Sequence, residues 1–402
     1  MNLEAEEKSG GSEKNKKITI AIVAIIVVGL IAYFVFGRDM LRSKNIKQIK
    51  MEPTNEQNNE PVNSGPVSPI SGLPCENWNR RPIAVMQPAD PTARPAAGFS
   101  EADMVVEMPA YTSSNTRLMG IYVCNIPTEI AAIRSARHDS IHIAKGLDAI
   151  FVHWGYSIFA ENLLKEKVID NVDCMASSYC DRNQALIDAG ARLEDTGRIT
   201  NENALKMLSE SGYRNTGNFS GYFHQNETPL DQRPQAGHLR VAFASPYDAE
   251  YDYDRESNSY LRIWNGVLDT DRNSGQRLAP KNIAVIFAVS EQITNTQDYV
   301  GKGLRDPWAG VPEVKNSGAE SISGRYNNMQ LGDPWYDTTD SGDAYYYMNG
   351  QEVRGHWKKD KTKIDSKLFF YDNAGKEIKF VPGQIWVEVL EPGQNLKWQP
   401  QA

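Results

Sequence analysis

The chain has 402 residues, 40% apolar and 23% charged, with a formal net charge of −8 at pH 7. That length exceeds one typical domain, so two are expected, and the ordinary apolar content allows a buried core. Without the nine basic and five acidic residues up to position 50, the remainder holds 34 Lys+Arg against 46 Asp+Glu, a net of −12. So acidic a surface does not attract phosphate backbones, and no nucleic-acid partner is expected for residues 51–402.

Ile18 to Phe36 is a 19-residue, almost wholly apolar run. It approaches the ~20 residues of a bilayer-spanning helix and exceeds the ~7–15 of a signal-peptide core. An uncleaved transmembrane helix over 18–36 is therefore expected, with 1–17 as a cytoplasmic tail, although Val35-Phe36-Gly37 makes a passable cleavage pattern. Four lysines precede the run and five basic residues follow it, so the charge rule does not orient it. A short tail before a large domain suits a signal anchor. An even set of cysteines, Cys75, Cys124, Cys174 and Cys180, suits an oxidising compartment. Four cysteines allow three pairings, and Cys75–Cys124 with Cys174–Cys180 is the one expected. The expected location is a cell membrane, single-pass, with everything after the span extracytoplasmic. Residues 37–68 form a basic juxtamembrane stretch and then a tether rich in Asn, Pro, Glu and Ser.

Order is expected from about Ile70. "RPIAVMQP" reads as a short strand between prolines, and "DMVVEMPA" and "RLMGIYVC" as two more. "HDSIHIAKG" has the apolar spacing of a helix ending at Gly146, with Asp139 as its expected N-cap. "DAIFVHWG" is a buried strand. "SIFAENLLKEK" is a helix capped by Ser157, and "TNENALKMLSESG" one capped near Thr200 or Asn201 and stopped at Gly212. This alternation predicts a mixed α/β-type domain over 69–234. From Gln235 the chain reads as mostly β: "LRVAFAS", "SYLRIWNG", "NIAVIFAVS", a hairpin turning at Asn349-Gly350, a second around Asp372–Gly375, and a last strand "QIWVEVLE". The expected class is α+β: a membrane helix, the mixed domain, then a domain of antiparallel hairpins over 235–402. A long polar loop, 295–343, carries Asp-Pro-Trp twice, which offers Trp308 and Trp335 as surface aromatic candidates.

Several of these stretches carry a resemblance. "SPISGLP", "ARPAAGFSEADMVVEMP", "TRLMGIY", "IRSAR" and "DAIFVHWG" resemble the N-terminal half of the YerB-like lipoprotein family. "YDYDRESNSYLRIWNG", "APKNIAVIF", "MNGQEVRGHWKKD" and "FYDNAGKEIKFVPGQIWVEV" resemble its C-terminal half, and the likeness runs over about 68–391 in order. The resemblance implies an extracytoplasmic, membrane-attached protein of a bacterial envelope and supplies no reaction. Two departures stand out. The first cysteine, Cys75, lies far beyond the apolar run, so a transmembrane helix replaces the family's lipid anchor. A Pro-His-Asn stretch of relatives is reduced near "RITNEN" to an asparagine.

No motif fixes a chemistry. There is no G-x-S-x-G, no glycine-rich phosphate loop, no H-E-x-x-H and no C-x-x-C, so neither metal nor cofactor is expected. His138 and His142 have helical i, i+4 spacing but no evident partner ligand. Asp103 and Glu107 share a strand face, but their Cα atoms are about 13 Å apart, too far for a glycosidase pair. "RSARHDS", residues 134–140, is the most pointed stretch. Arg134 and Arg137 beside a helix N-terminus form a clamp for an anion, or a corner tied to Glu101, Asp103 or Glu107. His153 and Trp154 at the following strand end suit a cleft rim. Three functions compete. The first is a binding protein holding an anionic or sugar ligand, such as a cell-wall polymer, at Arg134, Arg137, His153 and Trp154. The second is a cell-wall hydrolase with Glu107 or Asp139 as acid and His153 as helper. The third is a scaffold for another envelope protein.

Overall fold

The computed structural model describes residues 65–111, 113–292, 297–306 and 327–401. The expected span at 18–36, its flanks up to residue 64 and Trp308 lie outside the described residues. No helix among the described residues is long and apolar enough to cross a membrane.

The first half supplies strands β1 (Ile83–Pro88), β2 (Met104–Pro109), β3 (Thr116–Tyr122), β4 (Glu129–Ala131), β5 (Ile150–His153), β6 (Asn171–Asp173), β7 (Asp181–Arg182), β8 (Gly197–Thr200) and β9 (Phe223–His224). Among them run helices α1 (His138–Gly146), α2 (Ile158–Lys165), α3 (Gln184–Asp188) and α4 (Asn201–Glu210). The expected caps of α2 and α4 form: Ser157 accepts from the Ala160 amide and Thr200 from that of Asn203. That of α1 does not. Arg137 stands at its N-cap in extended geometry with no side-chain cap, and Asp139 lies inside the first turn.

The second half begins with β10 (Ala236–Val241), β11 (Ala249–Asp254), β12 (Ser259–Trp264), β13 (Val267–Leu268), β14 (Asn282–Phe287) and β15 (Ser290–Gln292). It continues through α5 (Gln297–Gly301), β16 (Asn327–Met329), β17 (Ser341–Met348), β18 (Gln351–Lys358), β19 (Phe369–Asp372), β20 (Lys379–Phe380), β21 (Ile385–Leu390) and β22 (Leu396–Gln401). Asn349 and Gly350 both take positive φ, 54° and 68°, as the turn between β17 and β18 requires.

Strands of both halves build one ten-stranded mixed sheet, ordered β19-β18-β17-β14-β21-β2-β3-β1-β5-β6. The second half is therefore not hairpins alone. β21 lies between β14 and β2 and pairs parallel with each. Its residues are buried throughout, as a strand covered on both faces requires. Side chains alternate between two cores. Ala84, Met86 and Phe151 face a layer containing Ile141, Phe159 and Leu163 of α1 and α2. Ile83, Val85 and Val152 face the other layer, which holds Leu239, Tyr251 and Tyr260 of the antiparallel sheet β13-β12-β11-β10-β22, and Met207 of α4. Both expected disulfides are present, Cys75–Cys124 and Cys174–Cys180, with Cα separations of 5.3 and 5.2 Å.

Candidate functional site

At the end of β1 the chain turns through Asp90, and two other segments converge on it. Arg117, the second residue of β3, lies opposite Pro88, and the Arg134 amide donates to the Met86 carbonyl at 2.8 Å. Register and backbone pairing thus bring two guanidinium groups to one carboxylate: Arg117 Nη1 and Arg134 Nη2 each lie 3.5 Å from Asp90 Oδ2. Arg134 is further fixed by the Asp195 carboxylate and the Glu194 carbonyl, and it is buried. Its partners are therefore not Glu101, Asp103 or Glu107.

Arg137 differs. Its guanidinium lies 5.7 Å over the Tyr111 ring, donates to the Ala136 carbonyl at 3.1 Å and reaches the Tyr111 hydroxyl at 3.4 Å. Among the described residues it forms no ion pair. Burial pushes Arg117 down to about 10; Asp90 opposes that shift, and the charges of Arg137 and Arg134 add to it. Arg117 Nε and Arg137 Nε are both buried without a hydrogen-bond partner. Three cations thus meet at one edge of a protein that is acidic overall: Arg117 and Arg134 share Asp90, Arg134 is also paired with Asp195, and Arg137 has no ion pair among the described residues. Such an arrangement suits an incoming anion, because fixed donors and excess positive charge need no reorganisation to receive it.

The other expected site residues do not join this cluster. His153 is fully buried, with Nδ1 2.8 Å from the Gly155 carbonyl and Nε2 3.1 Å from Asn171 Oδ1. It lines no cleft. Trp154 is half-buried beneath Arg182, whose guanidinium lies 4.4 Å over the ring. A Cβ at Gly197 would meet the same ring at 2.7 Å, so Trp154 also packs closely against the β8 backbone. Glu107 is sealed in the core, accepts from Thr116 Oγ1 at 2.5 Å and pairs with Arg262. Its carboxylate neighbour is Glu388, opposite it on β21, not Asp103 or Asp139. Burial and the Glu107 charge push Glu388 up to about 8. Neither acid reaches the surface, so the expected catalytic role of Glu107 has no route to a substrate.

Asp139 belongs to a second, interior cluster. It accepts from the Met329 amide at 3.3 Å and lies 3.2 Å from His138 Nε2. His142 Nε2 is 2.5 Å from Asp333 Oδ2, and His138 Nε2 is 3.0 Å from Asn328 Oδ1. Asp337 accepts from Asn328 Nδ2 and from the amides of Leu331 and Asp333. Burial raises Asp139 and Asp337 well above the usual carboxylate range, with the Asp333 charge adding to it. Burial alone would raise Asp333 as well, but His142 outweighs it and holds Asp333 low. The two imidazoles of the i, i+4 pair take different partners. Among the described residues no group of three or more His, Cys, Asp or Glu is placed to hold a metal. Trp335, expected at the surface, is half-buried: Arg305 covers its face at 3.5 Å and its ring meets His142 at 6.0 Å.

Sequence reasoning missed Arg117, Asp90 and Tyr111 as members of the arginine cluster. The signal for Arg117 was its place at the start of a strand beside the "IRSAR" segment.

Comparison with known proteins gives the following matches. Residues 70–216 match the family model described as "Protein of unknown function (DUF3048) N-terminal domain". Residues 239–307 and 314–387 match that of the DUF3048 C-terminal domain. A Bacillus subtilis (strain 168) protein named "Putative lipoprotein YerB" is 27% identical over 337 residues, 80% of this chain and 86% of the relative. The crystal structure of YerB protein from Bacillus subtilis matches with a TM-score of 0.64 and 24% identity, covering 83% of this chain and 99% of that one. That structure shares the fold.

Proposed function

The chain belongs to the DUF3048 family, and from that premise we propose a membrane-anchored, extracytoplasmic binding protein whose arginine cluster receives an anionic ligand. The location draws support from the relative's naming as a lipoprotein, from the apolar run 18–36 and from two disulfides, which persist in oxidising compartments. The anchor is the apolar run. In support of that choice, the chain's four cysteines pair in two disulfides.

The observation that carries the binding reading is Arg137, a guanidinium oriented by Tyr111 and without a carboxylate partner among the described residues, beside an Arg117 already crowded by like charge. A cell-wall polymer bearing phosphate or carboxylate groups is the ligand class, since a planar fork grips such oxygens with two parallel bonds. The test is co-sedimentation of residues 60–402, which contain every described element, with purified sacculi. Wild type should pellet, and Arg137→Ala should lose about 10-fold or more in affinity, as charge-assisted hydrogen bonds of about 1.5–3 kcal/mol imply. Equal pelleting of the two would refute the site.

A further inference from the structure

A separate cavity of about 380 Å³ opens between the Arg94 turn and the β12–β13 hairpin, a size within the ~300–1,000 Å³ of small-ligand sites. We infer that it is a site for a carboxylate-ended ligand with a small apolar body, the chemistry of a peptide's C-terminus. This goes beyond the anion reading of Arg117 and Arg137 and does not depend on it.

Arg94 is built into the wall. Its Nη1 donates to both oxygens of the buried Asp269 at 2.7 Å, and Asp269 is held from behind by Arg262 Nη1 at 3.2 Å. The guanidinium lies 4.8 Å over the Trp264 ring. One edge of the fork is therefore occupied. The other, Nε with Nη2, is buried and has no partner, and Trp264 Nε1 beside it also lacks one. Unpartnered buried donors are uncommon and call for an explanation. Arg94 and Trp264, which carry these donors, both line the cavity. An Nε–Nη2 edge is the one that takes a carboxylate through two parallel bonds, and the indole N–H is a further unpartnered donor in the same wall.

The remaining wall is apolar. Asn265 and Gly266 take positive φ, 48° and 72°, and turn the hairpin so that Val267 and Leu268 stand 66% and 58% exposed at the rim. Two large apolar side chains left in solvent beside oriented donors fit a ligand with an anionic head and an aliphatic body. Asp269, though in the wall, is answered on both sides by Arg94 and Arg262.

A peptide carboxylate could come from a wall peptide with D-residues or from an ordinary protein end, and chirality separates the two. The experiment is calorimetric titration of the full chain in detergent with N-acetyl-Ala-Ala, in L,L and D,D forms, each as acid and as amide. At least one acid should bind saturably, with its amide about 10-fold or more weaker, as loss of a charge-assisted bond implies. The preferred enantiomer names the source. Arg94→Lys, which keeps the charge facing Asp269 but loses the fork, should weaken the acid about 10-fold. Leu268→Glu, an exposed change that leaves the fold intact, should weaken it as well. No saturable binding of either acid, equal binding of acid and amide, or wild-type affinity in Leu268→Glu would each overturn the proposal.

Discussion

The arginine cluster and the histidine–aspartate cluster hold similar numbers of charged groups and treat them in opposite ways. In the interior, His142 faces Asp333, while burial raises Asp139 and Asp337 well above the usual carboxylate range, so charge is answered within the fold. At the β1 edge, Arg117 and Arg134 share Asp90, and Arg137 stacks on Tyr111 without an ion pair among the described residues. A charge matched inside the chain ties segments together. A charge left unmatched at a half-exposed edge is available to something else. The first kind of residue should cost stability when removed, and the second should cost binding.

The largest stability loss is expected at the interior cluster. His142→Ala leaves the Asp333 carboxylate buried without its partner, a change that typically costs about 3–5 kcal/mol; urea unfolding measures it. A loss below about 1 kcal/mol would mean that the two clusters do not differ in kind. Next come the disulfides. In the chain-entropy description, the bridge closing the longer loop, Cys75–Cys124 at a separation of 49, should be worth about 4 kcal/mol. Cys174–Cys180, at a separation of 6, should be worth about 2 kcal/mol. Unfolding of the two paired Cys→Ala variants gives the ranking, and a reversed order would overturn it.

A further effect should appear against pH. Burial raises Glu388 from 4.5 to about 8. A raised folded-state value means that its contribution to stability is present below about pH 4.5 and is lost as pH rises through about 8. Glu388→Gln should therefore lose less stability than wild type between pH 4.5 and 8. Parallel curves of melting temperature against pH would contradict that. The smallest stability effect belongs to Arg137→Ala, expected within about 0.5 kcal/mol of wild type because no carboxylate among the described residues is paired with it.

Much of the architecture was legible locally. Ser157 and Thr200 cap their helices, Asn349-Gly350 turns its hairpin, and the cysteines pair as expected, because each signal lies within a few residues or concerns a scarce residue type. What was not legible is non-local. "QIWVEVLE" shows a buried strand but not that its neighbours are β2 and β14, since parallel pairing leaves no turn to read. "RSARHDS" divides three ways for the same reason. Arg134 meets Asp195 at a separation of 61 residues, and His138 and Asp139 meet Asn328 and Met329 at 190. Arg137, at the helix N-cap between them, is the residue left without an ion pair among the described residues. The segment is a tied corner and an unmatched arginine together, and sequence alone had no means of assigning the two roles to different residues.

The measurement that bears most directly on this division is the thermal midpoint of wild type and Arg137→Ala, each with and without solubilised wall polymer. A ligand that binds only the folded state raises its midpoint. Equal midpoints without polymer, with a rise on adding it in wild type alone, are predicted. A rise of the same size in both proteins, or a variant already unfolding well below wild type without polymer, would contradict the account.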